Sequence, residues 1–259
     1  MYLYLEKNNK HYYIIMFHNC NSKTNGEYKF FMDIKDKINV IFDVGCRSDS
    51  EFIYFSGEVH YFDPVNEFIE QLKNIQNLNK KSYFNNFGLG EKNDQIYYYP
   101  RYESFYNRIN SCHVSDDSNK FLLDIKKAKD YVITNNIKNI DFLKIDTEGY
   151  ELNVLQGFED YLGNVKIIQF EYGGTFLDNN IKLIDVIHYL EQKGFYKFSY
   201  LTSYGTEIIT DFADHYQYCN IVCINKNIGF DPLCKNEVEI KKEIGVDINK
   251  KIGMCFEWK

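Results

Sequence analysis

The chain has 259 residues, of which 44% are hydrophobic and 26% are charged, and its net charge is −7 with a pI near 5.4. This length predicts one large α/β domain, and the acidic balance disfavours a broad phosphate-binding surface. The seven cysteines form no CxxC pair, and neither a signal-peptide pattern nor a membrane-length apolar run is found. These features predict a soluble, cytoplasmic protein with reduced thiols.

The chain divides into an extension, a main domain and a tail. Residues 1–37 contain short aromatic runs and predict strands or a helix that pack on the core. In residues 38–226, apolar strands alternate with helical patterns, which predicts a mostly parallel sheet with helices on both faces. The last two strands follow each other without a helix and predict an antiparallel end. Residues 227–259 form a charged tail.

The first two strands end in residues that suit a nucleoside. INVIFDVG ends at Gly45 and leads to a loop and a short helix, while VHYFDP carries Asp63 twenty residues after Asp43. An acid at this spacing can accept both ribose hydroxyl groups, or it can cap the next helix. The turn GCRSDS lacks the GxGxxG of dinucleotide sites, so S-adenosylmethionine fits better. Asp43 or nearby carbonyls would take its ammonium, and Arg47 or helix N-terminal amides its carboxylate.

A third strand at 82–90 and a hairpin return lead to a polar, aromatic loop at 101–120, which is predicted to lie over the site. A sugar suits such a loop, because its ring faces stack on aromatic side chains such as Tyr106 while its hydroxyl groups bind polar partners. Arg108 could equally receive a phosphate. His113 is a candidate base, or simply a solvated loop residue.

The stretch DFLKIDTEGYELNVLQG, from Asp141 to Gly157, predicts a buried strand, two acids at its end and then a helix. Open α/β sheets bind ligands at this end of their strands, although Asp146 could instead cap the helix, with Glu148 in its first turn. Asp146 is the first candidate for the base that deprotonates an alcohol acceptor, and Glu148 is the second. Lys144 points to the same side as Asp146 and would keep it ionised.

Glu171 ends the following strand and is predicted to line the acceptor side of the site. Together with Asp146 and Glu148 it could offer three oxygen ligands to a divalent metal. Strand-end acids also gather in this fold without any metal, so no metal is expected.

Several motifs resemble the FkbM family of S-adenosylmethionine-dependent methyltransferases: DVG at 43–45, FDP at 62–64, NFGLG at 86–90 and, most specifically, the KIDTEG segment that begins at Lys144. The resemblance spans roughly residues 38–173. It implies an α/β, Rossmann-like class I methyltransferase fold, with a mostly parallel seven-stranded sheet and an antiparallel C-terminal strand. O-methylation of a sugar, glycan or small metabolite is the activity it implies.

The resemblance also implies a binding site for S-adenosylmethionine, with S-adenosylhomocysteine as product. The cofactor-binding positions are Asp43, Gly45, Cys46, Arg47, Asp63, Pro64, Asn86, Gly88 and Asp146. The family's first motif usually continues DVGANxG, whereas this chain has Cys-Arg-Ser-Asp after the glycine. The methionine end of the cofactor is therefore expected to be held differently here.

Three other functions are open alternatives: a nucleotide or RNA-cap methyltransferase, a dinucleotide-dependent enzyme, and a non-catalytic methyltransferase-like module. The single glycine of the first turn disfavours the dinucleotide enzyme, and the altered first motif favours the module. The expected partner is a small-molecule or glycan acceptor; no membrane is expected, and nucleic acid is a disfavoured alternative.

Overall fold

The N-terminal extension contains both strands and helices. The computed structural model describes residues 21–101, 103–106 and 119–233 in full, and residues 2–7 and 10–15 as backbone strands. These two strands form an antiparallel hairpin, and two short helices and a 3-10 turn follow. The elements are β1 (Tyr2–Lys7), β2 (Lys10–Ile15), α1 (Ser22–Asn25), α2 (Glu27–Ile34) and the 3-10 turn Lys35–Lys37.

The main domain alternates strands and helices, as the apolar pattern predicts. Its strands are β3 (Val40–Val44), β4 (Glu58–Phe62), β5 (Ser82–Asn85), β6 (Gly88–Gly90), β7 (Asp94–Tyr98), β8 (Phe121–Lys127), β9 (Ile140–Ile145), β10 (Val165–Tyr172), β11 (Phe195–Thr202), β12 (Gly205–Ile208) and β13 (Cys219–Asn225). Its helices are α3 (Asn66–Lys73), α4 (Ala128–Thr134), α5 (Glu151–Gly157), α6 (Gly174–Asp178) and α7 (Leu183–Gln192), with a 3-10 helix at Glu159–Asn164.

The central sheet has the strand order β12-β11-β13-β10-β9-β3-β4-β5. The five strands from β10 to β5 pair in parallel, whereas β13, β11 and β12 pair in antiparallel fashion. The predicted Rossmann-like architecture is therefore confirmed, and the antiparallel pair predicted at the C-terminal end is β11 with β13. Among the described helices, none has the length and apolarity to cross a bilayer.

Three local predictions were wrong. The sheet has eight strands, because the segment after β11 turns at once and pairs with it as the edge strand β12. Residues 46–57 form turns where a short helix was expected. The predicted third strand divides, because only β5 joins the central sheet. The glycine-rich β6 pairs instead with β8 in a second sheet of three strands.

Helices cover both faces of the central sheet, as predicted. Strand residues alternate between the two faces. On one face, Phe42, Leu143 and Ile168 belong to a core that includes residues of α4, α5, α6 and α7. On the other face, Ile41 and Phe142 belong to a core shared with α2 and α3. The candidate site lies on this second face, at the carboxyl ends of the parallel strands.

Candidate functional site

Two rows of side chains cross the second face of the sheet. The strand register places Tyr61, Asp43, Lys144 and Gln169 side by side in an inner row. An outer row lies two residues further along each strand, and since the side-chain period of a strand is two, it faces the same way. Its members are Asp63, Gly45, Asp146 and Glu171, with Asn220 opposite Glu171.

Gly45 leaves a gap in the outer row between Asp63 and Asp146. Its amide donates to the Phe62 carbonyl oxygen at 2.9 Å, and its φ of +83° lies in the left-handed region. A Cβ atom here would lie 1.8 Å from the carbonyl oxygen of Asp146. Only glycine fits this turn, because any side chain would meet backbone that cannot move aside. Gly45 therefore brings no side chain to the outer row, between the acids on either side of it.

Asp63 lies at one end of the gap. Its carboxylate accepts from the Val65 amide at 2.7 Å, one residue before α3, so it closes the turn that enters the helix. The Asn86 amide donates to the carbonyl oxygens of Asp63 and Pro64, at 3.2 and 3.0 Å. Asn86 therefore acts on the backbone of this turn. One oxygen of the Asp63 carboxylate has no hydrogen bond from the described residues and could accept from a ribose.

Arg47 lies next to this turn on the exposed side. Its guanidinium stacks on Phe68 at 3.6 Å from the ring centroid and forms an ion pair with Glu103 at 2.8 Å. The predicted contact with a ligand carboxylate would have to compete with Glu103, and it stays a prediction.

Three acids gather at the other end of the gap. One carboxylate oxygen each of Asp146, Glu148 and Glu171 lies within 4.8 Å of the other two. Burial and the charges of the two neighbouring acids raise the pKa of Glu171 well above its usual range. Burial also raises the pKa of Asp146, against the opposing effect of Lys144. The predicted strand-end acids thus lie together, and a cation or a proton-donating acceptor would stabilise them.

The turn that carries Glu148 is held by Glu151, which the sequence reasoning missed. One Glu151 oxygen accepts from the amides of Thr147 and Gly149, at 2.8 and 3.2 Å. α5 begins after Tyr150 without a side-chain cap, so Asp146 does not cap this helix. Among the described residues the second Glu151 oxygen is buried without a partner, and burial raises the pKa of Glu151 to about 7. The sequence signal for this role was the position of Glu151, because an acid in the first turn of a helix can accept from the amides of the turn that precedes it.

Lys144 lies beneath the acids, in the inner row. Its ammonium forms ion pairs with Glu27 of α2 at 3.1 Å and with Glu51 at 3.5 Å. These acids, together with Asp43 and Asp146, raise the pKa of Lys144 well above its usual range, although burial acts in the opposite direction. Lys144 therefore supports the site from below, with 12% of its side chain exposed.

Asp43, Cys46 and Gly88 are buried. The Asp43 carboxylate accepts from the Ser50 hydroxyl at 2.6 Å, and burial raises its pKa to about 6. Burial raises the pKa of the Cys46 thiol well above its usual range. A Cβ atom on Gly88 would lie 2.6 Å from the Ile125 side chain, so this glycine permits close packing between β6 and β8. Their predicted cofactor contacts stay predictions.

The aromatic loop reaches the site through Ser104 and Tyr106. The Ser104 hydroxyl donates to the Glu148 carbonyl oxygen at 2.8 Å, which fixes this end of the loop on the acidic turn. The Tyr106 hydroxyl donates to Asn153 of α5 at 3.3 Å. The predicted roles of Arg108 and His113 lie outside the described residues.

The buried acids make a pH dependence of stability expected. Burial raises the pKa of Asp63 to about 7 from 3.8. The stability due to the protonated carboxyl is complete below pH 3.8 and is lost as the pH rises through about 7. In urea unfolding, the free energy of unfolding of Asp63→Asn should therefore rise relative to that of the wild type by about 2.6 kcal/mol between pH 5 and pH 8. If the difference in free energy of unfolding between the variant and the wild type stayed constant from pH 5 to pH 8, the raised pKa of Asp63 would be contradicted.

Two other grooves of the surface are less suited to the chemistry. One of about 550 Å³ lies at the amino-terminal edge of the sheet and includes His60, whose ring nitrogens bond Tyr131 and Glu58 at 2.7 Å each. Another of about 760 Å³ lies beside the second sheet. The ring nitrogens of His60 are thus already engaged, whereas Asp146, Glu148 and Glu171 bring three carboxylate oxygens within 4.8 Å of one another.

Comparison with known proteins identifies a family. The family model of the methyltransferase FkbM domain matches residues 43–197, as the sequence motifs predict. A comparison with curated protein sequences gives no match.

Solved structures give distant likenesses. The fibrillarin pre-rRNA processing protein of Methanococcus jannaschii is 11% identical over 86% of this chain and 82% of that chain, with a TM-score of 0.43. A protein of the NADB-Rossmann superfamily from Streptococcus agalactiae is 14% identical over 88% and 78%, with a TM-score of 0.42. The plantazolicin methyltransferase BpumL in complex with SAH is 12% identical over 79% and 83%, also at 0.42. These likenesses are too distant to carry an argument.

Proposed function

Because the chain belongs to the FkbM methyltransferase family, we propose that it transfers a methyl group from S-adenosylmethionine to a hydroxyl group of a sugar, glycan or small metabolite. One observation carries the proposal: the outer row opens a gap at Gly45, with Asp63 on one side and Asp146 and Glu171 on the other. The carboxylate proposed to bind the ribose and the cluster of acids thus flank a position of the outer row that carries no side chain.

The residues of the gap fit the cofactor. When bound, S-adenosylmethionine supplies an electrophilic methyl carbon on a positively charged sulfonium. Asp63 would accept the ribose hydroxyl groups, and the turn at Gly45 would admit the methionine part against its backbone. Burial raises the pKa of Asp146 and of Glu171 at the far side, and a cationic ligand there would favour their ionised forms. The family membership supports this cofactor.

Asp146 is the proposed base. Its side chain is partly accessible, and its pKa is raised by burial, so a carboxylate here binds a proton more readily than an exposed one does. It would accept the proton of the acceptor hydroxyl as the oxygen approaches the methyl carbon. Glu171 and Glu148 lie beside Asp146. They would orient the acceptor by accepting hydrogen bonds from its other hydroxyl groups. Positioning of the two reactants contributes the rest of the rate enhancement.

A hydroxyl-rich acceptor is favoured by two tyrosines next to the acids. A Cβ atom on Gly173, two residues after Glu171, would lie 2.8 Å from the Tyr218 ring, and one on Gly174 would lie 3.1 Å from Tyr216. Both rings therefore lie against the strand end that carries Glu171. Aromatic faces with acceptor oxygens suit a sugar. The cluster of acids offers no positive charge to a phosphorylated acceptor, as in the nucleotide or RNA-cap alternative.

Calorimetry tests the cofactor assignment. S-adenosylmethionine and S-adenosylhomocysteine should bind, and NAD should not. Asp63→Ala should weaken the binding of both sulfur nucleosides by about 10- to 100-fold, because the hydrogen bonds to the ribose are lost. Asp36→Ala, on the exposed 3-10 turn, is the matched control. The proposal fails if neither sulfur nucleoside binds the wild type.

A screen of sugars, nucleotide sugars and capped RNA, with and without EDTA, would identify the acceptor and test the absence of a metal requirement.

A further inference from the structure

Glu27 is a charged residue on the buried face of α2. The helix places Phe30, Phe31 and Ile34 in the core at helical spacing, and Glu27 occupies the first position of this stripe with 7% of its surface exposed. Acids are almost never buried to this extent unless they are paired. The residue also precedes the family match at 43–197, so the family model assigns it no role.

The Glu27 carboxylate reaches the inner row of the site. One oxygen accepts from the Gln169 side chain at 2.8 Å and pairs with the Lys144 ammonium at 3.1 Å. The other accepts from the Asn25 side chain at 2.6 Å. Burial alone would raise the pKa of Glu27, but Lys144 and these amides hold it below its usual value. Glu27 is therefore an anion with three partners.

The start of α2 is fixed in place against the sheet. Gly26, just before Glu27, has a φ of +105°, and a Cβ atom there would lie 2.5 Å from the Thr202 carbonyl oxygen at the end of β11. One turn further along the same buried face, Phe30 packs on Phe142 with ring centroids 6.0 Å apart. The position of the Glu27 carboxylate is thus set by backbone contact and by packing, and Glu27 is held where it meets Lys144.

From these contacts we infer that Glu27 is a positioning residue of the cofactor site, which holds the Lys144 ammonium in the inner row and balances its charge beneath the outer row. The inference rests on the proposed function. It assigns α2 to the cofactor site, although the helix lies outside the segment that defines the family. Lys144 is adjacent to Asp43 and two residues before Asp146, so its charge acts directly on the floor of the gap.

Charge balance at Lys144 should affect one cofactor form more than the other. S-adenosylmethionine carries a sulfonium charge that S-adenosylhomocysteine lacks. Without Glu27, the Lys144 ammonium would keep its ion pair with Glu51, and the floor of the gap would gain one positive charge. One positive charge added beneath the site should lower the affinity for a cation by about fivefold. The product, without the sulfonium, would be affected less.

Calorimetry with S-adenosylmethionine and S-adenosylhomocysteine on the full chain tests the inference. In Glu27→Gln, which keeps the shape of the side chain, the affinity ratio of the two ligands should fall about fivefold towards the product. Asp33→Asn is the matched control, because it removes the same charge from the exposed face of the same helix, where Asp33 pairs with Lys29. The control should keep the wild-type ratio.

The outcomes separate this inference from the proposed function. If the wild type binds neither ligand, the proposed function fails. If the wild type binds both and Glu27→Gln keeps the wild-type ratio, the positioning role is overturned. A purely structural role would weaken both ligands equally. The double variant Glu27→Gln/Lys144→Met removes both charges of the pair, and it serves where the single variant does not fold. It should give the wild-type affinity ratio. A ratio lowered about fivefold towards the product would overturn the inference.

Discussion

Methyl transfer is expected to fall about 10²- to 10⁴-fold in Asp146→Asn, the range that a well-placed general base contributes. The asparagine keeps the size of the side chain but cannot take the acceptor's proton. Affinity for S-adenosylmethionine should change less than the rate, because Asp63 and the turn at Gly45 are untouched. The measurement is the release of S-adenosylhomocysteine with the acceptor found in the screen, together with calorimetry.

Glu148→Gln is the matched control for this experiment. Glu148 offers an oxygen to the same cluster, so the variant removes one charge from the same place. We expect it to lose activity less than Asp146→Asn does, because Glu148 lies in the turn and not at the strand end. Full activity in Asp146→Asn would remove the residue from the mechanism, and a larger loss in Glu148→Gln would transfer the base to that residue.

Gly45→Ala is expected to lower the free energy of unfolding by about 3 kcal/mol or more and to abolish cofactor binding. The φ of +83° is unfavourable for alanine, and the added Cβ atom would lie 1.8 Å from the Asp146 carbonyl oxygen. To relieve this clash, the ends of β3 and β9 would have to separate, which displaces Asp146. For a chain of this size, such a loss lowers the thermal midpoint by about 6–12 °C.

Gly163→Ala provides the comparison for Gly45→Ala. It lies in the 3-10 helix, and a Cβ atom there would meet nothing within 4 Å. Its thermal midpoint and its affinity for S-adenosylmethionine should match those of the wild type. A Gly45→Ala variant as stable as Gly163→Ala would show that the turn can relax, and the close approach would then not explain the glycine.

The outer row could be predicted because it depends on local rules. Asp63, Asp146 and Glu171 each end an apolar strand, and strands of a parallel sheet end at a common edge. The alternation of side chains then decides the face. The same rules predicted the order of helices and strands in the core. They are sufficient because each of them uses only a few neighbouring residues.

Glu27 and β12 could not be predicted in the same way. Nothing close to Glu27 in the sequence says that it meets Lys144, because α2 is placed by packing against Phe142 and by the approach of Gly26 to β11. The edge strand β12 contains half-exposed and exposed residues, so it shows no apolar pattern. Contacts between distant parts of the chain decide both features, and patterns over a few neighbouring residues do not indicate such contacts.

The position of Glu27 has a consequence for the order of events during synthesis. Its hydrogen bond with Gln169 spans 142 residues. At about 5–20 residues per second, a ribosome takes roughly 7–28 s to make that interval. During this time α2 carries an acid whose distant partners, Lys144 and Gln169, do not yet exist. The docking of α2 should therefore be completed late, and a chaperone that covers apolar segments would have its target there.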